Sequence, residues 1–106
     1  MAAHRQPDRC NFQQIKAQLD PCCTYMVFER PTTALDLLEF PEVGKLLDPY
    51  RGQIIEQSLY YDDASERLFM VVKLEPQQMQ GLENIVLHPG LPRDVVVYFY
   101  GNLPSQ

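Results

Sequence analysis

The chain has no run of basic residues. Its nine cations, Arg5, Arg9, Lys16, Arg30, Lys45, Arg51, Arg67, Lys73 and Arg93, are scattered among fourteen Asp and Glu, for a net charge of −5. Sequence-independent binding to nucleic acid or to an anionic membrane draws on clustered Lys and Arg, so this balance argues against both. No apolar stretch approaches the roughly 20 residues that a membrane-spanning helix needs. The opening MAAHRQPDRC lacks the apolar segment of a secretion signal. Three cysteines, Cys10, Cys22 and Cys23, are odd in number and two are adjacent, which does not make a disulfide framework. Reduced thiols and a cytoplasmic location are the expectation.

Chemical motifs are missing as well. Cys10, Cys22 and Cys23 with His4 or His88 show no CxxC or HxxxH spacing, so they read as small buried hydrophobes rather than metal ligands. There is no GxSxG, no GxxxxGK[ST], no GxGxxG and no calcium loop with its glycine. His88 lies in the loop LHPGLP, where a solvated role is favoured over catalysis. Asp62, Asp63 and Glu66 read as a solvated acidic turn. No catalytic residue, metal or cofactor is expected, and the balance leans against an enzyme.

What is present is an ordinary globular composition, 45% apolar and 22% charged. A chain of 106 residues supports one domain and one modest core. Residues 1–10 are expected as a flexible tail, 11–102 as a single α+β domain and 103–106 as a second tail.

Asn11 can cap a short helix with Phe12, Ile15 and Leu19 on one face, ended by Asp20-Pro21. CCTYMVFER, rich in β-branched and aromatic residues, reads as a strand. In the next stretch Thr33 can cap, Asp36 sits in the first turn, and Leu35, Leu37, Leu38, Val43, Leu46 and Leu47 supply an apolar face. Pro41 imposes a kink or divides it into two helices, and Asp48-Pro49 ends it. QIIEQSLYYD and ERLFMVVKLE read as a hairpin joined by a three- to five-residue loop. Pro76 can open a helix carrying Met79, Leu82, Ile85 and Val86, weakened by Gly81. DVVVYFYG follows as the strongest strand.

The order is one helix followed by β-α-β-β-α-β. Right-handed crossovers turn the last six elements into a ferredoxin-like βαββαβ fold. Its four-stranded antiparallel sheet would run 4-1-3-2 with two helices on one face, preceded by the extra N-terminal helix. Alternation then divides each strand into two sides. Leu68, Met70, Val72 and Leu74 belong under the helices. On the 53–62 strand Ile55, Leu59 and Tyr61 oppose Ile54, Glu56, Ser58 and Tyr60. The face away from the helices collects Tyr25, Val27, Phe69, Val71, Val96, Tyr98 and Tyr100, with Tyr60 beside them.

A solvated sheet face should alternate apolar with polar; this one is aromatic. Such a patch marks an interaction surface, and tyrosine suits interfaces. The leading expectation is a small non-catalytic interaction or regulatory module that self-associates or docks on a protein partner through Tyr25, Phe69, Val71, Tyr98 and Tyr100. The alternatives for that face are coverage by the chain's own N-terminal helix, and plain exposure. A second functional reading is a ligand-binding or enzymatic dimeric α/β-barrel protein with His88 and Tyr98 in its cavity. A third rests on RLFMVVKL, where Arg67, Phe69 and Val72 fit the RRM third-strand pattern. Leu68 and Met70 stand there in place of glycines, and Val71 and Leu74 in place of aromatics. With Tyr25 as the strand-one aromatic, the segment distantly resembles the RRM family and would imply RNA binding by base stacking.

Overall fold

The computed structural model describes residues 8–32 and 41–103. Over these residues the fold is mixed α+β, with a five-stranded sheet and three α-helices. In chain order these are β1 (Asp8–Cys10), α1 (Phe12–Gln18), β2 (Thr24–Pro31), α2 (Pro41–Leu47), a 3-10 helix (Asp48–Gln53), β3 (Ile54–Asp62), β4 (Arg67–Leu74), α3 (Glu83–Val86) and β5 (Val96–Gly101). The sheet runs β1-β3-β4-β2-β5. Its four long strands pair antiparallel with one another and lie in the expected order.

The fifth strand corrects the expectation of a four-stranded sheet. Asp8, Arg9 and Cys10, within the stretch read as a tail, pair parallel with Tyr60, Tyr61 and Asp62 and cover the outer edge of β3. Thr33, Leu35, Asp36, Leu37 and Leu38, read as a helix start, lie outside the described residues, as do His4 and residues 104–106. Pro41 does open a helix, as its missing N–H and fixed φ favour. Beyond Asp48 the chain continues as a 3-10 helix instead of stopping. The helix expected from Pro76 shrinks to one turn, because Gln77 and Gly81 take positive φ (63° and 86°), which an α-helix excludes.

Both sides of the sheet are packed. On one side α2 and α3 bring Val43, Leu47, Leu82 and Ile85 onto Met26, Phe28, Leu68, Met70, Val72 and Leu74. The alternation in β4 and β2 therefore places these residues as expected. In β3 a bulge between Ile54 and Glu56 shifts the register. It turns Ile54 toward the core and leaves Ile55 50% exposed, reversing the expected sides of the two isoleucines. On the other side lies a smaller cluster of Phe12, Tyr25, Val27, Phe69 and Val71. Arg30, at the far end of β2, makes a two-pronged bond to Asp94 (3.0 and 3.1 Å) and reaches Glu42 at 3.3 Å. It joins the approach to β5 to α2 across the sheet end.

Candidate interaction surface

The helix α1 decides what the aromatic face can do. Asn11 caps it by accepting from the Gln13 N–H. A second acceptor comes from the hairpin: the Asp62 carboxylate takes the Phe12 N–H at 2.9 Å and the Ala64 and Ser65 N–H groups at 2.9 and 3.2 Å. Those bonds, the one to Phe12 first, hold the Asp62 pKa below its ordinary value, although partial burial pushes the other way. Asp62 is therefore no solvated turn residue. It fixes the start of α1 over the sheet.

From that anchor the Phe12 ring stacks on Phe69 at 3.7 Å, with the planes 6° apart, and Tyr60 flanks it at 6.2 Å. At the other end of α1 the Asp20 N–H donates to the Tyr25 hydroxyl at 3.0 Å. Burial raises the Tyr25 pKa, with that bond opposing. Tyr25, Phe69 and Val71 are left 4, 6 and 4% exposed. This corrects the expectation that they meet a partner: the two-turn helix of the chain's own leading segment turns that face into a second core. It also removes the basis of the RRM comparison, since base stacking needs Tyr25 and Phe69 bare.

Tyr98 and Tyr100 stand apart from the other three. They are half-buried on β5 and pack at the margin of the Phe12 cluster. Burial first, then the charge of Glu29 and a hydrogen bond to it, pushes the Tyr98 pKa up to about 12. Glu29 is in turn paired with Arg67 at 2.9 Å. His88 does not join Tyr98 in a cavity. It is exposed, and its Nδ1 accepts from the Gly90 N–H at 2.9 Å, a local turn bond. Cys22 is exposed rather than buried, none of the three cysteines forms a disulfide, and no metal-binding group of side chains occurs among the described residues.

The feature that alternation alone does not reveal is the edge at β5. Only β2 pairs with this strand among the described residues. The Asn102 N–H bonds to the Cys23 carbonyl at 2.9 Å, one step beyond the last register pair, Thr24 with Gly101. Hydrogen-bonded and non-bonded pairs alternate along an antiparallel ladder. The polar backbone groups of Val96, Tyr98 and Tyr100 therefore face β2, and those of Val97, Phe99 and Gly101 face outward. VVYFYG carries no charge, no proline and no bulge, the devices that usually blunt an edge. Val96 is 50% exposed.

No family model, curated protein or solved structure matches the chain. None of the described helices is long and apolar enough to cross a membrane.

Proposed function

We propose that this chain is a non-catalytic interaction module, built on a ferredoxin-like core, that docks on a protein by strand addition at β5. The observation that carries the reading is the asymmetry of the two edges. β1 covers the Tyr60–Asp62 end of the β3 edge, whereas among the described residues no strand pairs with the outer side of β5, an apolar strand with outward N–H and C=O groups at Val97, Phe99 and Gly101. Main-chain bonds to an added strand supply affinity, and neighbouring side-chain pockets supply selectivity. Tyr98 and Tyr100, half-exposed beside that edge, remain the contact residues of the original aromatic set. Tyr25, Phe69 and Val71 support them from below. A reducing, cytoplasmic setting suits the exposed Cys22.

Either a second copy or another protein can present the added strand. A photo-crosslinking residue at position 96 should capture a protein in the cell that makes the chain. Val97→Pro should abolish capture while unfolding stays cooperative, because proline at 97 removes an outward N–H and no bond to β2. Capture that survives Val97→Pro overturns strand addition. Sedimentation at increasing concentration identifies a second copy.

A further inference from the structure

Two cavities form a groove on the α1 side of the sheet. One, of about 450 Å³, runs from the hairpin at Asp62 and Ser65 past Phe69 and Glu29 to Tyr98; the other, of about 390 Å³, lies beside Leu19, Tyr100 and Gly101. Lys16 is the one residue that lines both. Its ammonium lies 5.3 Å from the Tyr98 ring and 5.1 Å from the Tyr100 ring. Two aromatic faces thus hold the cation between the cavities, in a half-buried position. Among the described residues no carboxylate pairs with Lys16. Of the other charges at the groove, Glu29 is paired with Arg67, and Asp62 is a carboxylate that accepts three backbone N–H bonds.

We infer that the occupant of β5 is an extended segment of a partner protein with Asp or Glu opposite Lys16. This rests on the strand-addition reading and names its partner chemistry. Same-side residues on a strand recur every second position, about 6.5–7 Å apart. That is the spacing of Tyr98 and Tyr100, and the Lys16 ammonium reaches between their rings. An added strand therefore brings one same-side residue within reach of Lys16. An anionic side chain there pairs with a half-buried cation that meets no carboxylate among the described residues. A second copy of β5 fits less well. VVYFYG offers no acid, and a two-fold axis at Phe99 brings two Lys16 ammoniums together on one face.

The test is selection from a phage-displayed random nonapeptide library on the full chain, with the Val97→Pro chain as counter-target. Enriched peptides should share an Asp or Glu. Changing that acid to its amide should weaken binding about tenfold, and so should Lys16→Met, with little added loss when the two are combined. The peptide change leaves the fold of the chain untouched, so its result does not depend on how the Lys16 variant folds. Peptides without an acid, or binding indifferent to Lys16→Met, overturn the inference; if Val97→Pro still blocks them, strand addition stands. A dimer that Val97→Pro dissociates makes the second copy the occupant, with the same consequence. Failure to enrich any peptide that depends on Val97, in a chain that sediments as a monomer, overturns both.

Discussion

The rings of Phe12 and Phe69 lie face to face, 3.7 Å between centroids. Phe12 comes from the leading helix and Phe69 from the middle of the sheet, so this one contact makes α1 a structural layer. Phe12→Ala should cost about 3–5 kcal/mol, the usual range for emptying a buried aromatic position. It should also uncover Phe69, Val71 and Tyr25. Urea denaturation checks the first expectation, and binding of an anilinonaphthalene dye by the folded variant checks the second. A loss below about 1 kcal/mol would mean that α1 contributes little to holding the fold.

The sequence carried the sidedness of the sheet and not the fate of its second face. Alternation in Leu68–Leu74 and Tyr25–Phe28 separates the two clusters, because the strand period is two and each cluster is apolar. Phe12, Ile15 and Leu19 announce an amphipathic helix, yet an apolar stripe does not say which surface it will cover. That depends on Asp62, fifty residues away, accepting the Phe12 N–H. A carboxylate in a hairpin turn carries no sequence mark of such a long-range cap. The β1 pairing was hidden for a related reason: three residues with Asp8 and Arg9 among them have no strand periodicity. The bulge at Ile54 likewise leaves no signature in an apolar pair. Lys16 was visible as a cation on the border of the helix stripe, four residues after Phe12, but its seat on Tyr98 and Tyr100 follows only once α1 is placed.

Asp62 ties stability to acid pH. Its pKa is lowered in the folded chain, chiefly by the Phe12 N–H and then by Ser65 and Ala64. The stabilisation is therefore complete above the unfolded carboxyl value of about 4 and is lost as pH falls through the lower folded value. Asp62→Asn should be less stable at neutral pH and should show a shallower loss on acidification. Urea midpoints measured from neutral to strongly acidic pH give both. Equal acid slopes for the two proteins would assign the acid sensitivity to other carboxylates.

Gly101 ends β5 with φ at 97°, and a Cβ there would collide with the Cys23 carbonyl oxygen. That same oxygen accepts the Asn102 N–H, which closes the ladder between β5 and β2. Gly101→Ala should therefore cost about 1–3 kcal/mol through backbone strain. The melting temperature measures the loss, and faster hydrogen exchange at Asn102 locates it. An unchanged melting temperature would mean that the β5 terminus relaxes without cost.

Tyr98 reports on the groove at the opposite end of the pH scale. Burial and the neighbouring Glu29 carboxylate both oppose its ionisation and place its pKa at about 12. A tyrosine pKa raised on folding adds stability that is complete below the unfolded value of about 10 and fades as pH climbs toward the folded one. Alkaline titration followed by phenolate absorbance should show a late component, to which Tyr98 contributes at about 12 and in which Tyr25 is also raised. Tyr98→Phe should remove one phenolate from that late component. Glu29→Gln should bring it to lower pH, because the repelling charge is gone while the Arg67 cation is released from its partner. Peptide bound in the groove should delay it further, since an acid placed against Lys16 adds negative charge beside the same ring. A Tyr98 that ionises at the ordinary tyrosine value of about 10 would show that α1 and Glu29 do not close over it, and the wall of the proposed groove would be lost with them.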